Sequence, residues 1–128
     1  MIKVFISVPM KNRTKENIKA SIRKMEEVAK IFLDVNNDEI EFISTYIEET
    51  PPEGVDSSIW YLGGSIQLLA QADYLVCPED TSYAPGCSVE KAVFSKYKGV
   101  DSIIEIENRF IYPYGESWKN GMYFPDSI

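Results

Sequence analysis

The sequence predicts an α/β fold: a three-layer sandwich around a mainly parallel sheet of four to five strands. Three observations carry this. Short β-branched and aromatic runs alternate with amphipathic stretches in the order β-α-β-α-β-α-β. That alternation gives a parallel sheet with helices on both faces. The chain is 128 residues long, 45% hydrophobic and 26% charged, which suits one globular domain with its own core.

Residues 2–8, IKVFISV, read as a short buried strand that Pro9 ends. Thr14 is a plausible N-cap for a long helix. Ile18, Ile22, Met25, Ala29 and Phe32 make one apolar stripe along it. Asn36-Asn37-Asp38 is expected to end that helix, and residues 40–46 form the second strand. After a loop at 47–57, a helix runs from about Ser58 to Ala72, with Ile59, Leu62, Ile66 and Leu69 on one face. Gly63-Gly64 inside it costs about 1 kcal/mol each relative to Ala, which points either to close approach of another backbone or a subunit, or to a merely tolerated weak point. Residues 73–77 form the third strand, 86 to about 97 the third helix and 102–106 the fourth strand.

Residues 107–128 break the pattern. Phe110, Tyr112, Tyr114, Trp118, Tyr123 and Phe124 lie among prolines and glycines. The division is therefore an α/β body at 1–106 and an aromatic tail at 107–128 that packs on the body or on a neighbouring subunit.

Composition excludes several chemistries. There is no histidine, hence no Ser-His-Asp triad, Cys-His pair or histidine zinc site. Cys77 and Cys87 are too few for an all-cysteine zinc site and read as free thiols. The net charge of −7 argues against a nucleic-acid polymer as partner. Residues 1–30 hold eight Lys/Arg and three Glu, a local +5, against −12 in the rest. A small basic region on an acidic chain suits a small anion. No apolar run is long enough to span a membrane, and the N-terminus lacks the pattern of a signal peptide, so a cytoplasmic location is expected.

In parallel sheets ligands bind beyond the carboxyl ends of the strands, which singles out loops 8–13, 47–57 and 78–87. The turn Gly86-Cys87-Ser88-Val89-Glu90 enters a helix after the third strand, where free N–H groups favour an anion and Glu90 would face the crevice. Simple complementarity to the helix dipole is the bland explanation for that acid. Asp73 opens the third strand; from spacing alone it is a helix-to-strand turn residue at the end away from the crevice. The loop Ser7-Val8-Pro9-Met10-Lys11-Asn12-Arg13 offers a hydroxyl, backbone amides and two cations for a phosphate or carboxylate. Ordinary surface charge is the alternative for Lys11 and Arg13. The loop is neither a dinucleotide fingerprint nor a Walker A loop.

Ile6-Ser7-Val8-Pro9-Met10, Trp60-Tyr61-Leu62, Ala72-Asp73-Tyr74 and Gly86-Cys87-Ser88-Val89-Glu90, in that order, resemble the nucleoside 2-deoxyribosyltransferase-like superfamily over residues 2–106. The resemblance implies a flavodoxin-like or Rossmann-like fold and cleavage of an N-glycosidic bond, with transfer to another base or to water. It implies Glu90 as nucleophile and Asp73 as the group that handles the base. Ser7, Val8, Pro9 and Met10 would line the base pocket, Trp60 would join the substrate site, and Ala84, Gly86 and Ser88 would hold the 5′ end of the sugar. The family's glycine in the first loop is Val8 here, its first-strand tyrosine is Phe5, and its sugar-binding acid is Ala84. Losing that acid is compatible with a 5′-phosphate bound by Ser82, Ser88, Lys11 or Arg13.

The expected function is thus N-glycosidic cleavage on a small-molecule nucleoside or nucleoside 5′-monophosphate. No cofactor and no metal is expected, and a homo-oligomer is. A non-catalytic nucleotide-binding or sensing module of the same fold is the alternative, and an oligomeric interaction protein a third reading.

Overall fold

The computed structural model describes residues 1–43, 47 and 49–116. Four strands, β1 (Ile2–Ile6), β2 (Ile40–Ile43), β3 (Tyr74–Pro78) and β4 (Ile103–Ile106), alternate with helices α1 (Lys15–Leu33), α2 (Ser57–Leu69) and α3 (Pro85–Tyr97). The sheet is parallel throughout, in the order β2-β1-β3-β4. Ile2 pairs with Ile40 on one side of β1, and Val4 with Tyr74 on the other. This is the α/β sandwich the sequence predicts. The strand order turns at β1 and β3: from β1 the chain steps outward to β2, then returns to add β3 and β4. Beyond the carboxyl ends at such a switch point a crevice opens.

Strand residues alternate between two cores. Val4, Ile6 and Val76 face Met25 and Ala29 of α1. Phe5, Leu75 and Cys77 face Leu69 of α2 and Phe94 of α3. Phe5 is fully buried, so its truncation to alanine would cost about 3–5 kcal/mol.

Local chemistry explains most element boundaries. Thr14 caps α1, its hydroxyl accepting the Asn17 N–H at 3.1 Å. Asp34 in the left-handed region (φ 52°) ends it, before the expected Asn36-Asn37-Asp38. Phe32 is 66% exposed; Val28 and Leu33 complete the stripe instead. Asp56 caps α2 through the Ile59 N–H at 2.9 Å, and that helix stops at Leu69, short of the expected Ala72. Ile59 does not join its inner face, being 70% exposed. At Gly64 a Cβ would lie 2.6 Å from the Ile47 side chain, while Gly63 has nothing within 4 Å. The second glycine therefore admits a side chain rather than a backbone.

With α2 and α3 on one face and α1 alone on the other, part of the sheet would be bare. Residues 107–116 cover it. Ile111 is fully buried and joins Tyr112, Ile104, Ile106 and the α1 residues in one core. This segment is a strap on the body. Phe110 and Tyr114 on it are exposed, whereas Trp118, Tyr123 and Phe124, like residues 44–46 of the expected second strand, lie outside the described residues. Among the described residues no helix is long and apolar enough to cross a membrane.

Candidate functional site

The crevice at the switch point encloses about 170 Å³. That is below the several hundred Å³ of a drug-sized pocket and fits one ring system with the rest of a ligand extending outward. Val8, Pro9, Met10 and Lys11 after β1 form one wall. Ser58, Tyr61, Leu62 and Ser65 of α2 form the second. Ala84, Pro85, Gly86 and Cys87 at the start of α3 form the third, and Glu90 lies at the base. Six residues expected from the sequence thus line one crevice with Glu90: Val8, Pro9, Met10, Lys11, Ala84 and Gly86.

Glu90 is 7% exposed. Pro85 occupies the first turn of α3, which sets Glu90 in the second. Its carboxylate is therefore held by side-chain hydroxyls and not by free N–H groups of the helix start. Ser7, at the end of β1, donates its hydroxyl to Oε1 at 2.6 Å, and Ser65 of α2 also hydrogen-bonds the carboxylate. Burial pushes the Glu90 pKa up to about 7 against the opposing pull of Ser7 and Ser65. Among the described residues lining the crevice it is the one carboxylate. A buried, perturbed acid in a cleft is the usual mark of a functional group.

Ser7 itself lies beneath the wall and is 1% exposed. Its carbonyl accepts the Cys87 thiol at 3.6 Å. The expected substrate contact is thus a contact to Glu90. Burial raises both the Cys77 and Cys87 thiols to about 12, which keeps them protonated at neutral pH and poor nucleophiles.

Five other expected site residues stand elsewhere. Asp73 is at the amino end of β3, where its Oδ2 accepts the Lys3 N–H at 2.8 Å and its own N–H reaches the Lys3 carbonyl at 2.7 Å. About five strand steps of 3.3 Å separate it from the crevice, roughly 16 Å, against the roughly 5–9.5 Å that paired glycosidase carboxyls need. Asp73 thus stands in the turn position its spacing predicts and does not share the crevice with Glu90. Arg13 turns inward: its side chain is 1% exposed and forms a two-pronged pair with Glu116, Nε to Oε2 at 2.6 Å and Nη2 to Oε1 at 2.8 Å. Trp60 faces a separate groove on the far side of α2, beside Gly63, Gly64 and Gln67. Ser82 donates its N–H and hydroxyl to Asp80, at 2.9 and 2.6 Å. Ser88 is exposed on the outer side of the first turn of α3 and does not line the crevice.

Ser65 is the functional side chain that sequence reasoning missed. The signal was present in the spacing of Ser58, Leu62 and Ser65, which are four and three apart and therefore share one helix face. Trp60, Gly63, Gly64 and Gln67 form the opposite face.

Comparison with protein-family models, with curated proteins and with solved structures found no match.

Proposed function

We propose that this chain cleaves the N-glycosidic bond of a nucleoside or nucleoside 5′-monophosphate, with Glu90 as nucleophile. The observation that carries the reading is a buried carboxylate at the base of a crevice, held by two hydroxyls and, among the described residues, by no cation. The motif order resembling the deoxyribosyltransferase-like superfamily supports the choice of reaction. Ionised Glu90 attacks the anomeric carbon as the carbon–nitrogen bond breaks. The bonding pair leaves with the base nitrogen, which takes a proton from water. Water then attacks the glycosyl ester, giving the free sugar and restoring the carboxylate; a second base in place of water gives transfer. With a pKa of about 7, Glu90 gains its active form as pH rises through neutrality. Lys11 stands at the rim, where a 5′-phosphate would extend, while Arg13 is committed elsewhere.

One observation favours the alternative of a non-catalytic nucleotide-binding or sensing module. No second carboxylate among the described crevice residues is there to protonate a departing base. One experiment separates the two. The protein is incubated with the common ribo- and deoxyribonucleosides and their monophosphates, and free bases are read by chromatography beside Glu90→Gln. Base release that vanishes in the variant supports catalysis. No release, together with thermal shifts from the same ligands, supports the binding module.

We also read the outer face of α2 as a contact between copies, in a homo-oligomer. The helix carries no charged residue, and Ile59 is 70% exposed on it. Light scattering on the purified chain and on Ile59→Lys checks this: the parent is larger than a monomer and the variant is not.

A further inference from the structure

We infer that the strap at residues 107–116 positions the crevice, with Glu116 and Asn108 each fixing one of the two loops that form its walls. The loop after β1 is held through Arg13. One Nη of that guanidinium donates to the carbonyl of Pro9, a crevice residue, at 2.6 Å. The same side chain pairs with both Glu116 oxygens and reaches Ser21 Oγ at 2.5 Å. It lies over the Tyr112 ring at 4.5 Å. The loop after β3 is held by Asn108, whose Oδ1 accepts the Asp80 N–H and whose Nδ2 donates to the Asp80 carbonyl, both at 2.8 Å. Asp80 in turn holds Ser82, on the way to the Ala84-Pro85 wall.

The strap is itself anchored. Ser21 Oγ donates to the Ile111 carbonyl at 2.8 Å, and Ile111 is fully buried. One segment therefore ties two loops that are about 70 residues apart in sequence, beyond Ser7 and Glu79, whose N–H groups still bond the Val76 and Ile106 carbonyls of neighbouring strands at 2.8 Å. A planar five-donor guanidinium suits this task because it can bind a carboxylate and a carbonyl at once. Glu116 and Asn108 are positioning residues: neither lines the crevice. The inference needs only that the crevice be the ligand site, whichever reaction occurs there.

The two thiols report on it. Cys87 lines the crevice, while Cys77 lies in the sheet core, and both begin buried. Alkylation of each is followed by mass spectrometry in the full chain under native conditions, for the parent, Glu116→Gln and Asn108→Ala. Cys87 is expected to react about tenfold faster or more in either variant with Cys77 unchanged, because local opening frees the loops without melting the sheet. If Glu116→Gln does not fold, the paired Arg13→Met, Glu116→Leu replaces it, since apolar substitution of a whole buried pair is commonly tolerated. Equal acceleration of both thiols would mean a merely structural strap, and unchanged Cys87 would mean no hold on the crevice; either overturns the inference.

Discussion

Two buried ionisable centres stand near the carboxyl edge of the same sheet, one on each face, and they are built in opposite ways. On the α1 face, Arg13 meets Glu116 with side chains 1% and 2% exposed, and every contact is to a group of opposite charge, a carbonyl, a hydroxyl or a ring. On the α3 face, Glu90 is almost as buried but among the described residues its hydrogen bonds come from hydroxyls, and desolvation prevails over them. The first arrangement holds two pieces of chain together. The second keeps a carboxylate poised between its two forms beside an open crevice. A buried charge that folding could have paired, and did not, is better explained by chemistry than by stability.

The comparison breaks most visibly at the paired centre. Arg13→Ala or Glu116→Ala leaves one buried charge uncompensated and should cost about 3–5 kcal/mol, read by urea unfolding. The poised centre should respond with the opposite sign. Glu90 keeps its proton in the folded chain up to about pH 7, whereas the unfolded chain releases it near 4.5. Between those values the native state binds more protons, so stability falls as pH rises and stays low above pH 7. Glu90→Gln should remove that fall, gaining roughly 2–3 kcal/mol above pH 7 and almost nothing below 4.5. Urea midpoints measured from pH 4 to 8 would show converging curves at the acid end; a constant offset would mean that Glu90 is not raised.

Ser7→Ala tests the hydroxyl support. Losing a bond to a charged acceptor should raise the Glu90 pKa further, by about one to two units, seen by carboxyl carbon NMR. Any base-release activity should shift its acid limb the same way. The smallest effect is expected at Asp73→Asn. An amide oxygen still accepts the Lys3 N–H, so stability should change by less than about 1 kcal/mol and base release not at all. A large loss of release there would restore Asp73 to the site.

Periodicity was enough to place β1, the three helices and β3 within a few residues, because apolar spacing and the Thr14 cap are local properties. Glu90 was legible for the same reason, since a turn after a parallel strand faces the ligand crevice wherever the strand ends. Its support was not. Ser7 and Ser65 are 58 residues apart, and both meet Glu90 only because β1, α2 and α3 converge. Arg13 and Lys11 look alike in sequence, two cations on one loop. The strap decides that one turns in toward Glu116 while the other remains at the rim. Trp60 and Tyr61 are neighbours, yet a helix turns successive side chains about 100° apart and sends them to different grooves.

Element order, the parallel sheet, the exclusion of histidine chemistry and the position of Glu90 could be read from the chain, since each depends on spacing or composition. Which charges are paired, which hydroxyls reach Glu90, and that residues 107–116 close the α1 face emerged only on folding. Those outcomes follow from desolvation and long-range contact, which act on groups brought together by folding and leave no local trace in the chain.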